Sequence, residues 1–157
     1  PRLAWSEGAA TYFGQQLLRQ PQYIDTSATG YSGFNLEEPD AAIPRGTGDG
    51  TPTGTVSEAM VAAVLWDLAD SAQDDTTVAN VKHTDTLSSA DSIFKTLPKM
   101  KGATFRSAGN PGVVDFLDIY ICGSHASWEA TAGSNFRGVV SVLNGFPYSP
   151  TGKPACP

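Results

Sequence analysis

One carboxylate near the start of the chain, Glu7, lies in the segment Trp5-Ser6-Glu7-Gly8-Ala9-Ala10-Thr11-Tyr12-Phe13. This reads as the opening of a buried helix with Glu7 in its first turn, and a carboxylate held there is a candidate metal ligand. A catalytic zinc ion takes three protein ligands and keeps a fourth position open for water. One recurrent ligand set is two histidines at i and i+4 on one helix and a glutamate from a later helix. The two histidines of this chain, His83 and His125, lie 42 positions apart and belong to no such pair. Glu7 is therefore part of a site at most. An acid in the first turn of a helix also has a plain structural use, since it satisfies free amides and the helix dipole.

Other combinations carry less. Cys122 and His125 have a chelating three-residue spacing, but two ligands do not make a structural zinc site. Ser124, His125 and Asp115 or Asp118 supply the residue types of a nucleophilic triad without any Gly-x-Ser-x-Gly elbow. Asp67, Asp70 and Asp74 share one helix face. They match no calcium-loop pattern, so a solvated acidic face is expected. Residues 46–54 are glycine-rich but lack the lysine and following helix of a phosphate loop. Tyr12, Tyr31, His83 and His125 are side chains able to donate to an oxyanion, each with an ordinary structural reading beside it.

The elements that must position these groups follow from spacing. Residues 4–19 read as a helix whose apolar stripe is Trp5, Ala9, Phe13 and Leu17, flanked by Tyr12. Glu7 falls on a different face, followed by Ala10, Thr11 and Gly14, small residues that allow another element to come close. Gly14 costs about 1 kcal/mol relative to Ala in a helix, and Pro21 ends the helix. Gln22–Asp25 and Tyr31–Leu36, joined by Ala28-Thr29-Gly30, suit a hairpin. Residues 45–55 form a Gly/Thr/Pro loop. Residues 56–70 are the strongest helix, with Ser57 as N-cap. Its run Ala59–Trp66 is apolar on every side and must be buried on every side. Acids gather at its C-terminal end, the unfavourable end for the dipole. Shorter helices are expected over 90–97, stopped by Pro98, from Pro111 to Gly123, and over 135–143. An irregular Pro-rich tail covers 144–157.

The whole chain fits one domain. With 40% apolar and 17% charged residues it is a folded, loop-rich chain. Its net charge of −6, with only 10 Lys and Arg that form no stripe, excludes a phosphate-backbone partner and a polybasic membrane patch. No apolar run is long enough to span a bilayer. No signal-peptide pattern opens the chain, which starts at Pro1 rather than Met, so that absence carries no weight on targeting. Few charges, many Thr, Ser and Gly, and the pair Cys122 and Cys156 fit an exported protein with one disulfide, secreted or periplasmic. Two thiols that never meet are the other reading. If formed, the bridge would pin the tail to a helix end and add about 3 kcal/mol.

Trp-x-Glu-Gly-x-Ala followed by Tyr-Phe resembles the third-ligand helix of bacterial glutamate-zincin metallopeptidases, the thermolysin-like and aminopeptidase-like group. There such a segment follows a His-Glu-x-x-His helix by a few tens of residues. A second block, Ser57-Glu58 and then Ala63-Val64-Leu65-Trp66-Asp67-Leu68-Ala69-Asp70-Ser71, is similar to a Leu-Trp-Asp-Leu packing segment of bacterial extracellular proteins with that zinc motif upstream. The resemblance implies a mainly α fold with a small β-hairpin, the helical C-terminal subdomain of a zincin-like fold. It implies zinc as cofactor of the intact protein, with Glu7 as metal ligand. Glu58, one residue after the N-cap of the buried helix, reads either as a first-turn acid that answers the helix dipole or as a carboxylate that orients a zinc-bound histidine through its other ring nitrogen. It further implies a peptide or protein substrate and an N-terminal part that carries the remaining ligands. The chain alone is expected neither to bind zinc tightly nor to hydrolyse peptides. The alternative is a non-catalytic extracytoplasmic binding or structural domain on such a helical scaffold.

Overall fold

A computed structural model describes residues 2–37, 56–69, 90–106, 111–123, 146, 148 and 151–156. The elements in chain order are helix α1 (Arg2–Leu18), strands β1 (Gln22–Ser27) and β2 (Gly30–Asn35), helix α2 (Glu58–Ala69), helix α3 (Ala90–Thr96) and helix α4 (Val113–Gly123). A 3-10 turn at Leu97–Met100 follows α3. The architecture is mainly helical with a two-stranded antiparallel hairpin, as expected. The 45–55 loop, the helix expected over 135–143, His83, His125 and Ser124 lie outside the described residues.

Helix α2 is the centre of the core. Every residue from Ala59 to Ala69 is buried, which an all-round apolar sequence requires. Ser57 caps it as expected: its Oγ accepts the Met60 amide at 3.2 Å, and its carbonyl accepts the Val61 amide at 3.1 Å. The solvated acidic face expected for Asp67, Asp70 and Asp74 is corrected at Asp67, which is only 2% exposed; Asp70 and Asp74 lie outside the described residues. The reason is geometric: α2 has neighbours on all sides, so no face of it is left for water.

Helix α1 also differs from the expected arrangement. Its inward line is Ala4, Gly8, Tyr12 and Gln15, while Trp5, Ala9 and Phe13 are half-buried and Leu17 is 85% exposed. Close approach to α2 decides the orientation. A Cβ on Gly8 would lie 2.5 Å from the Glu58 carbonyl oxygen and 2.6 Å from Val61 Cβ, so only glycine admits this contact. Gly14, expected to serve that purpose, meets none of the described residues within 4 Å of an added Cβ. The larger residues flank the contact: Trp5 packs on Phe116 of α4 with ring centroids 5.1 Å apart, and Phe13 stacks on Phe94 of α3 at 5.1 Å.

The end of α1 is closed by two backbone bonds, Arg19 N–H to the Gln16 carbonyl and Gln20 N–H to the Gln15 carbonyl, around Arg19 at φ 54°. This is a Schellman cap with arginine in the left-handed position that glycine favours. Arg19→Gly is expected to raise stability by about 0.5–1 kcal/mol, measured as a shift of the urea midpoint at unchanged slope. Gln15 donates its amide nitrogen to the carbonyls of Gln20 (2.9 Å) and Gln22 (3.1 Å), the orientation that satisfies both ends of the amide. It fastens the start of β1 to α1.

In the hairpin, Gln22 pairs with Asn35 and Ser27 with Gly30. Tyr23 and Phe34 are directly opposite, their ring centroids 5.2 Å apart, and both are half-buried. Ile24 and Tyr31, on the other face by alternation, are 59% and 82% exposed. Leu36 N–H donates to the Pro21 carbonyl at 3.0 Å and closes the hairpin base. The Trp66 indole N–H donates to Glu37, tying the segment after β2 to α2.

Helix α4 begins at Val113, two residues after Pro111. Its start is capped from inside. Asp115 accepts the Gly112 amide at 2.9 Å with one oxygen and the Arg106 amide at 2.9 Å with the other. Cys122 near its end is joined to Cys156, so the expected disulfide is present. The tail is further held by Phe146 and Tyr148, both buried. Helix α3 ends at Thr96, ahead of Pro98, as expected; Pro98 lies within the first turn of the 3-10 segment that follows, where its missing N–H costs nothing.

Candidate metal-ligand corner

Helix α1 begins at Arg2, five residues before Glu7, and has no acid in its first turn. The expected first-turn position of Glu7 is therefore corrected: the carboxylate stands in the second turn, away from the free amides that an acid would cap. It is solvent-exposed. Gly8, its neighbour, is the point where α1 touches the backbone of Glu58. Glu58, half-buried in the first turn of α2, thus comes to the same corner as Glu7.

Tyr23 of β1 belongs to this corner. Its phenol is pushed above the usual tyrosine range, first by burial and then by the negative charges of Asp25, Glu58 and Glu7. The fold thus assembles Glu7, Glu58 and Tyr23 from three separate elements. Tyr23 was not singled out from sequence. The signal that could have found it is strand alternation, which sets it opposite Phe34 on the face turned toward the helices.

The other candidates are dispersed. Tyr12 is fully buried between the helices, and burial together with the nearby Tyr120 pushes its phenol up. No group among the described residues hydrogen-bonds its hydroxyl. A buried hydroxyl without a partner costs about 1–3 kcal/mol. Tyr12→Phe is accordingly expected to stabilise the protein by about 1 kcal/mol, read from the thermal midpoint. Tyr31 is near the turn of the hairpin and exposed. Cys122 is committed to its disulfide and is no partner for a metal with His125.

Asp115 and Asp118 have structural tasks. Asp118, 3% exposed, accepts Arg106 Nε at 2.7 Å, a second bond from an Arg106 Nη, and the Tyr148 hydroxyl at 2.8 Å. Arg106 also donates to the Thr151 carbonyl at 2.8 Å and lies over the Tyr148 ring, 5.5 Å from its centroid. The paired carboxylate holds the Arg106 guanidinium above its ordinary range. Burial and the Asp118 charge push the Tyr148 phenol up.

Among the described residues no group of three His, Cys, Asp or Glu side chains converges in a way that could hold a metal ion. No helix among them is long and apolar enough to cross a membrane. No family model, curated protein or solved structure matches the chain.

Proposed function

We propose that this chain is the helical C-terminal portion of a secreted zinc metallopeptidase-like protein, in which Glu7 supplies one ligand and a segment outside this sequence supplies the others. What supports this reading most is the situation of Glu7. It is exposed, too far along α1 to serve as a cap, on a helix locked to α2 at the very next residue. A ligand must be held by a rigid element while its carboxylate stays accessible, and Glu7 meets both conditions. Beyond it on α1, Ala10 is exposed and no described residue lies within 4 Å of a Cβ added at Gly14, which leaves room among the described residues for a second element. Glu58 at the same corner is suited to orient a ligand histidine, and the disulfide is compatible with a location outside the cytoplasm.

Glu7 alone does not fit a zinc ion, which needs three protein donors in a catalytic site. No catalytic step through zinc is therefore assigned to these residues. Their contribution is to hold one carboxylate, with a half-buried phenol and a second carboxylate beside it. The exposed Leu17, Leu18, Ile24 and Tyr31 favour a second reading, a non-catalytic domain that binds a partner through an apolar surface. The coding sequence before Pro1 separates the two. A His-Glu-x-x-His about 20–60 residues before Trp5 is expected for the metallopeptidase. An unrelated domain directly before Pro1 would overturn it.

A further inference from the structure

The disulfide has a neighbour that a purely structural bridge does not need. Lys153 Nζ lies 3.1 Å from Cys122 Sγ and 3.2 Å from Cys156 Sγ, and it is steadied by a 2.9 Å bond to the Pro154 carbonyl. Cys156 is solvent-exposed and Cys122 half-buried. Cys122 also sits in the last turn of α4, where the carbonyl end of the helix dipole disfavours a thiolate. An ammonium group in contact with both sulfurs offsets that penalty.

We propose that the Cys122–Cys156 bridge is a thiol–disulfide exchange site for an external dithiol, with Lys153 stabilising the departing thiolate. A thiolate of the dithiol attacks the exposed Cys156 Sγ and forms a mixed disulfide. The Cys122–Cys156 bond breaks, and its electron pair leaves on Cys122 Sγ as a thiolate beside Lys153. The second thiol of the reagent, as its thiolate, then attacks the mixed disulfide, releases Cys156 as a thiolate and closes the reagent's own disulfide. The protein gains two electrons and the dithiol loses two.

Such exchange leaves the fold in place. Arg106 still holds Asp118 and the Thr151 carbonyl, and Tyr148 still holds Asp118. Only the covalent tie between Cys156 and α4 is lost. The site thus switches the end of the tail without releasing its buried aromatic anchors.

The test compares the intact oxidised protein with Lys153→Gln and Lys153→Arg, using dithiothreitol as the dithiol. Rates of reduction are followed by mass after acid quench, and iodoacetamide alkylation of the reduced protein is followed against pH. Lys153→Gln is expected to slow reduction about 3- to 10-fold. It should also move the alkylation midpoint to higher pH, because the thiolate loses its neighbouring positive charge. Lys153→Arg should restore most of both. Equal rates and equal alkylation profiles in wild type and Lys153→Gln would overturn the proposal. So would equal slowing in Lys153→Gln and Lys153→Arg, because packing rather than charge would then be responsible.

Discussion

Asp118→Ala is expected to destabilise the protein by about 3–4 kcal/mol. The carboxylate is the common acceptor for Arg106 and the Tyr148 hydroxyl, and it is almost wholly buried. Truncation removes the acceptor and leaves its donors behind. The Arg106 side chain, 22% exposed, keeps its charge with reduced access to water, and the buried Tyr148 hydroxyl loses this acceptor. The cost is that of the stranded groups more than the net worth of the pair, which is why removing one partner is worse than replacing all of them. Asp118→Asn retains an acceptor for Tyr148 and should cost less. Because the pair is largely shielded, the loss should change little between low salt and 0.5 M salt. Urea unfolding of wild type and both variants checks this. A loss below about 1 kcal/mol for Asp118→Ala would show that the cluster does not anchor the tail.

Gly8→Val is expected to cost about 3 kcal/mol. The obstacle is not a flexible side-chain tip but the Glu58 carbonyl, fixed in the first turn of α2, together with Val61 at its Cβ. Either α1 moves outward or α2 loses its capped first turn, and both open the core. Gly8→Ala meets the same wall but regains about 1 kcal/mol of helix propensity, so its net cost should be roughly 1–2 kcal/mol. Gly14→Ala is the control. No described residue lies within 4 Å there, so helix propensity dominates and the substitution should stabilise by up to about 1 kcal/mol. If Gly8→Ala and Gly14→Ala changed stability alike, the close packing of α1 on α2 would be refuted.

These two sites show what was legible in the sequence. Helix α2 was readable because every side chain from Ala59 to Trp66 is apolar, which leaves burial on all sides as the sole outcome. The hairpin was readable from its turn residues and the flanking alternation. The orientation of α1 was not. A stripe drawn through the largest side chains selects Trp5, Phe13 and Leu17, whereas packing selected the smallest, Gly8, because the backbones gain most by meeting there. The Arg106–Asp118–Tyr148 cluster had no local signature, since its members come from a loop, a helix and the tail. The available hint was a pair of acids, Asp115 and Asp118, inside an otherwise apolar helix, where burial demands partners. For the candidate site, Glu7 and Glu58 were visible as separate carboxylates. Their meeting at one corner with Tyr23 depends on the Gly8 contact and could not be read from spacing.

The proposed function makes Glu7 a zinc ligand in the intact protein. Zinc titration of the full-length protein by competition with a chromogenic chelator, for wild type, Glu7→Ala and Glu58→Gln, tests it most directly. Glu58→Gln should weaken binding about 10- to 100-fold, as expected when only the orientation of a ligand is lost. Glu7→Ala should weaken it by more than that, with the circular dichroism of the fold unchanged. Zinc bound with equal affinity by wild type and Glu7→Ala would contradict the account.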